Sequence, residues 1–208
     1  VVSSVLSLTP PILKVVLMKK LLGPTDRLYP MPSPLVLGGT MEEHDALAVA
    51  WIGIGAGTPP SVAMALRRTR RTLELIREHR EFTVNIPSAD SAAIVDYFGI
   101  VSGRKTDKFA DTGWTVEPAE LISAPIIAEC PYNLECRVTH EIEIGEYVLI
   151  VGECVQSHAE ESILDDAGEK VDVERLDPLV YIAGSREYRR LGEKVADAFS
   201  VGRTIADK

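Results

Sequence analysis

Apolar residues along this chain recur mostly in period two or in short unbroken runs, punctuated by Gly and Pro, which predicts strands more often than helices. Pro30, Pro32 and Pro34 hold residues 29–34 extended. Residues 35–38 read as a short strand ended by Gly38 and Gly39, and residues 42–45 as a polar turn. The apolar run at 46–54 is long enough for one buried strand, closed by Gly55, Gly57, Pro59 and Pro60, and residues 61–66 form the next. At 69–80 the period becomes helical: Leu73 and Ile76 share an inward face, while Glu74 and Arg77 are spaced to pair at i, i+3 on the wet side. Residues 82–86 alternate as a strand that stops at Pro87, and Ser88 is placed to cap a short helix carrying Ala92, Ala93, Val95 and Tyr97.

Residues 99–109 read as a glycine- and cation-rich loop entering a helical turn. Beyond Trp114 the signals are mainly β, with strands at 126–143 and 147–158 joined by a turn at Gly145. A last short strand falls at 179–183, and 186–199 is expected as a terminal helix or turn. Helices do not alternate with strands as a doubly wound sheet requires, so the expected fold is mainly β, a barrel with peripheral helices. Gly53, Gly55 and Gly57 do not make a dinucleotide-binding fingerprint: the third glycine comes one place early and two prolines follow. Residues 1–17 are apolar, interrupted by Pro10 and Pro11 well short of the ~20 residues a membrane span needs. They are expected to be an extension outside the core, leaving 18–208 as a single domain.

Composition narrows the chemistry. Of 208 residues, 46% are apolar and 25% charged, which excludes disordered, collagen-like and coiled-coil chains. The net charge of −9 disfavours nucleic acid as a partner, so any anionic ligand needs a local cluster of cations. Two clusters are present. Ser102, Gly103, Arg104, Lys105, Thr106 and Lys108 combine cations, hydroxyls and a glycine turn suited to phosphate, and Arg104 and Lys108 would reach one anion if the segment is helical. Arg67, Arg68, Thr69, Arg70, Arg71 and Thr72 stand where a strand hands over to a helix.

His44, His79, His140 and His158 are dispersed without metal-ligand spacing, so no metal site is expected. Cys130, Cys136 and Cys154 form no C-x-x-C pair and read as buried thiols of a reducing, cytoplasmic compartment, with a redox role as the alternative. No nucleophile–base pair stands out and no catalytic residue is assigned, which points to a cofactor carrying any reaction.

An ordered set of short stretches then resembles the flavin reductase-like, FMN-binding split-barrel proteins, and within them the flavoredoxins. The stretches are Pro-Leu-Val-Leu at 34–37, Ala-Trp-Ile-Gly at 50–53 with Pro59 and Pro60 behind it, and Leu66 and Arg67 with Arg71, Thr72 and Ile76. Next come Glu-Phe-Thr-Val-Asn-Ile-Pro at 81–87 and the most specific, Ser-Gly-Arg-Lys-Thr-Asp-Lys-Phe at 102–109. Ala124 and Pro125, Leu-Glu-Cys at 134–136, Gly-Glu-Tyr-Val-Leu-Ile-Val-Gly-Glu at 145–153, Leu-Asp-Pro-Leu-Val-Tyr at 176–181 and Tyr-Arg-Arg-Leu-Gly at 188–192 complete the set.

The resemblance implies a split β-barrel homodimer that binds FMN near the subunit interface and takes electrons from NAD(P)H or a redox protein. It implies Ala48, Val49, Ala50 and Trp51 beside the ring and ribityl chain, with Ala65, Arg67 and Thr72 toward the phosphate. It further implies Asn85 near the flavin, and Ser102, Arg104 and Lys108 on the phosphate. Where family members often have Asn and Thr ahead of the Trp, this chain has Asp45 and Ala48; where many flavin reductases carry a His, it has Tyr147. Three functions are open on this reading: an FMN-dependent oxidoreductase, a non-catalytic flavin-binding electron carrier, and a split-barrel protein binding another phosphorylated ligand.

Overall fold

The computed structural model describes residues 19–206. The expected extension at 1–17 lies outside the described residues. Strand β1 (Met31–Pro32) precedes β2 (Leu35–Gly39), β3 (His44–Ala48), β4 (Ile52–Gly57) and β5 (Pro60–Arg67). Helix α1 (Arg71–His79) leads to β6 (Glu81–Ile86), then α2 (Ala92–Ile100) and α3 (Lys108–Thr112). Short strands β7 (Val116–Glu117) and β8 (Ile126–Ile127) precede the long hairpin of β9 (Tyr132–Ile144) and β10 (Tyr147–Ala159). Helix α4 (Val173–Leu176), β11 (Val180–Ile182), β12 (Glu187–Arg189) and α5 (Arg203–Ala206) follow.

The main sheet has seven strands in the order β3-β2-β6-β9-β10-β5-β4, and its neighbours pair antiparallel. Its two edge strands, β3 and β4, are consecutive in the chain. Residues 49–51 therefore carry the backbone from one edge to the other, tied by Val49 N–H to the Pro34 carbonyl (3.0 Å) and Ala65 N–H to the Trp51 carbonyl (2.9 Å). That crossing closes the sheet into a barrel.

Period-two alternation fills the barrel. Val36, Val62, Met64, Leu66, Phe82, Val84, Val148 and Ile150 point inward, and Leu73 and Ile76 of α1 pack against them. Leu35 and Leu37, on the other face of β2, bury against Val95, Phe98, Phe109 and Trp114. Strand β2 is covered on both faces, which explains its unbroken apolar sequence. A Cβ added at Gly38 would meet Ile76 Cγ1 at 2.7 Å, so this glycine lets α1 lie close on the sheet.

The mainly β barrel with peripheral helices is as expected, but local differences are informative. The predicted single strand at 46–54 is two strands, and β4 is largely exposed, with Ile54 at 79%. An apolar run has no signal that distinguishes a straight strand from one that leaves the sheet edge to close a barrel. Glu74 and Arg77 do not pair: Glu74 takes Arg71 and Arg104, while Arg77 reaches Glu141 on β9. Tertiary partners outcompete the i, i+3 neighbour. Ser88 stands at the expected turn but makes no capping bond with its side chain. Gly99 belongs to α2 rather than to a loop, and β8 and β9 are separated by residues 128–131. Residues 187–189 pair with β11 instead of forming the expected terminal helix or turn.

One buried charge anchors a long connection. Glu135 on β9 is fully buried and accepts from the Glu120 N–H at Oε1 (2.7 Å) and the Leu121 N–H at Oε2 (2.8 Å), with His158 Nε2 also against Oε1. Burial alone would raise this carboxyl, but the bonds from His158, Glu120 and Leu121 hold it below the usual carboxylate value. Its stabilisation is therefore present above the unfolded value of about 4.3 and is lost as pH falls through the lower folded value. Glu135→Gln should lower stability at pH 7 by about 1–3 kcal/mol in urea unfolding, with the gap to wild type shrinking at pH 3. An equal gap at both pH values would contradict this account.

Candidate functional site

The crossing at 49–51 leaves a groove between the end of β3, the start of β4 and β5. It is lined by Leu47, Ala48, Val49, Trp51, Ala65, Leu66, Arg67, Thr69, Arg70 and Tyr147, and encloses about 490 Å³. Trp51 is 41% exposed and also lines an adjoining, mainly apolar groove that includes Ala50, Ile52, Ala63, Met64 and Leu149. One stretch of surface thus runs from a cationic end to an apolar, aromatic one, with small alanines admitting a flat group.

The cationic end follows from the handover of β5 to α1. Arg70 is extended (φ −75°, ψ 132°) and precedes the first helical residue, so alternation gives way to helical spacing there. The guanidinium groups consequently diverge. Arg67 lies over the Tyr147 ring at 5.3 Å, donates to its hydroxyl at 3.0 Å and has Glu146 at 3.8 Å. Arg68 pairs with Glu143, and Arg71 with Glu43 and Glu74. Arg70 lines the groove half-buried and forms no ion pair among the described residues.

On the far side of α1's first turn lies a second, polar groove lined by Glu43, His44, Asp45, Arg71, Gly103, Arg104, Thr106 and Lys108. Its floor is a buried cluster. Asp45 (7% exposed) pairs with Lys108 (3% exposed) at 2.8 Å and accepts from Thr72 Oγ1; Lys108 also donates to the Ala46 carbonyl. Burial pulls the Lys108 ammonium below the usual lysine range, and the charge of Asp45 opposes that shift. Gly103 belongs to the same contact, because a Cβ there would stand 2.0 Å from Asp45 Oδ1. The loop before α3 is thus clamped onto β3 and α1, and Asp107 caps α3 by accepting from the Phe109 and Ala110 N–H groups.

The sequence-derived residues sort into three sets. Ala48, Val49, Trp51, Ala65 and Arg67 share one groove and Ala50 lines its neighbour. Thr72 and Lys108 are not surface groups: both face Asp45, an acid that the polar-turn reading of 42–45 left exposed. Arg104 and Lys108 do not converge as a helical pair, since α3 starts only at Lys108; Arg104 turns to Glu74, and Ser102 Oγ accepts from the Arg104 N–H.

Asn85 lies apart from both grooves. It is completely buried, donates to the Leu35 carbonyl and Thr83 Oγ1, and accepts from the Ile127 N–H and Asn133 Nδ2. With both ends of its amide bonded, it joins β2, β6, β8 and β9. The residues that sequence reading passed over are Thr69 and Arg70. Both lie inside the recognised cation cluster, but only the backbone turn at Arg70 shows which members face the groove.

A family model described as flavin reductase like domain matches residues 27–192. Among solved structures, the chain is similar to the flavoredoxin of Desulfovibrio vulgaris (Miyazaki F), with a TM-score of 0.83 and 39% identity over 89% of this chain and 100% of that one. It is likewise similar to the flavoredoxin from Methanosarcina acetivorans, with a TM-score of 0.83 and 31% identity over 90% and 100% of the two chains. Among curated proteins, the reductase component of a 4-nitrophenol 4-monooxygenase/4-nitrocatechol 2-monooxygenase from Rhodococcus opacus is 34% identical over 102 residues, 49% of this chain and 51% of that protein. With four-fifths of its length matched by the family model and its barrel shared with two flavoredoxins, the chain belongs to the flavin reductase-like family.

Proposed function

We propose that this protein is an FMN-binding oxidoreductase of the flavoredoxin and flavin reductase type, passing electrons from NAD(P)H or a redox protein to an acceptor. The observation that carries the reading is the groove itself: half-buried Arg70, without an ion pair among the described residues, beside Arg67 and Thr69 at one end, and exposed Trp51 with Ala48 and Ala65 at the other. A planar ring with an anionic tail suits that polarity. When bound, FMN would supply the hydride and electron chemistry for which the chain has no obvious residues of its own. Arg67, Thr69 and Arg70 would hold the phosphate, Ala48 to Trp51 and Ala65 would orient the ring, and the apolar neighbour would limit water. The Rhodococcus opacus relative, named as a reductase component, supports the reductase form of this reading.

Within this proposal Asp45 has a specific role. Its carboxylate holds Lys108 inward, and Arg104 is similarly held by Glu74, so the basic loop contributes to the phosphate only if those pairs are released. We further propose a homodimer, as the resemblance implies.

Four-fold evidence of different kinds tests these statements. Replacing Arg67 and Arg70 together by Ala should weaken FMN binding by about 2–4 kcal/mol in equilibrium titration, each charge-assisted bond being worth roughly 1.5–3. Unchanged affinity would move the phosphate elsewhere. Asp45→Asn should lower the Tm of the FMN-free protein, since it leaves Lys108 buried without its partner, yet tighten FMN roughly tenfold by freeing that cation. Weaker FMN binding would contradict the role given to Asp45. Anaerobic mixing of the FMN-loaded protein with NADH and NADPH should bleach the flavin band; no bleaching with either would remove the reductase and favour the carrier. Sedimentation at micromolar concentration should give twice the 22.7 kDa chain mass, and a monomer would exclude the dimer.

A further inference from the structure

Two cysteines form a pair that the flavin reading does not use. Cys136 on β9 and Cys154 on β10 are direct partners in the antiparallel ladder, so their side chains share a face. Facing residues in such a ladder have Cα atoms roughly 4.5–5.5 Å apart, inside the range of roughly 4.4–6.8 Å that a disulfide spans. The Cys154 thiol also donates to the Gln156 carbonyl at 3.4 Å. Cys136 is fully buried, whereas Cys154 is half-buried and lines an open groove of about 610 Å³ with Ile54, Ala56, Val62, Leu134 and Val155. That groove shares no lining residue with the proposed flavin surface. The ladder also shifts register between Cys154 and Gln156, a bulge that re-aims the strand at this point.

We propose that Cys154 and Cys136 form a dithiol–disulfide couple that exchanges with small organic disulfides entering this apolar groove, Cys154 attacking and Cys136 resolving. The division of roles follows from exposure: Cys154 faces the groove and Cys136 is enclosed. In keeping with this, the neighbouring Cys136 thiol and the Gln156 backbone lower Cys154 to about 7 against the effect of burial, while Cys154 and burial push Cys136 up. In the first step the Cys154 thiolate attacks one sulfur of RSSR; a Cys154–SR bond forms, the RS–SR bond breaks, and the departing RS⁻ takes a proton from solvent. Cys136 then attacks Cys154 Sγ; the protein disulfide forms, the Cys154–SR bond breaks, and the second RS⁻ leaves with the Cys136 proton. The protein dithiol is oxidised by two electrons and one external disulfide is reduced to two thiols. Cys130, buried with its thiol pushed up mainly by burial, takes no part.

The test uses the full chain and hydroxyethyl disulfide, read by intact mass and peptide mapping. Wild type should lose two hydrogens and yield a Cys136–Cys154 cross-linked peptide, with Cys130 still free. Cys136→Ala should stop at the hydroxyethyl adduct on Cys154, and Cys154→Ala should react at least tenfold more slowly. A folded wild-type protein that forms no link, adducts confined to Cys130, or a Cys154→Ala protein that reacts like wild type would each overturn the proposal. Should Cys136→Ala not fold, Cys136→Ser and the wild-type peptide map decide the matter. The result is independent of FMN, because the same readout applies with and without it.

Discussion

A carboxylate inside this fold requires a cation, and that requirement organises the site. Asp45 lies at the start of β3, under a loop and beside a helix, where water is excluded. An isolated charge there would be costly, and removing one partner of such a pair typically costs about 3–5 kcal/mol. Lys108 meets the requirement and Thr72 adds a hydrogen bond, so the loop ahead of α3 and the first turn of α1 are held on one strand. The groove beside Trp51 and the polar groove beside Arg104 are the two flanks of that clamp.

Separate ion pairs engage most of the neighbouring cations. The chain carries 31 acidic residues against 22 Lys and Arg, and most arginines near the site are matched to acids: Arg68 with Glu143, Arg71 with Glu43 and Glu74, Arg104 with Glu74. Among the described residues Arg70 forms no ion pair, which is why the phosphate is proposed to bind there. In an acidic protein, anion selectivity is thus set by which cations lack an internal partner, not by how many the sequence contains.

Much of the fold was legible in the sequence because its strands are bounded by Gly and Pro and alternate cleanly, as β5, β6 and β10 do. The resemblance singled out the residues around Trp51, and the structure brings Ala48, Val49, Trp51, Ala65 and Arg67 to one groove and Ala50 to the adjoining one. What local pattern could not reveal were partnerships across the fold. Glu74 and Arg77 have ideal helical spacing, yet both bind elsewhere; Asn85 looks available in its strand, yet its amide is fully engaged by neighbours distant in sequence. The apolar run at 46–54 conceals the crossing that closes the barrel, because turning a corner with Val49, Ala50 and Trp51 leaves no Gly or Pro to mark it. Likewise Lys108 reads as a surface cation until the burial of Asp45 is known.

The central claim, that the surface between Trp51 and Arg70 receives the flavin, is tested most directly by a crystal structure of the full chain grown with FMN. The account predicts the phosphate within hydrogen-bond distance of Arg67, Thr69 or Arg70, with the ring against Trp51 and Ala48. A phosphate bound away from these residues, or a ring on any other face of the barrel, would contradict it.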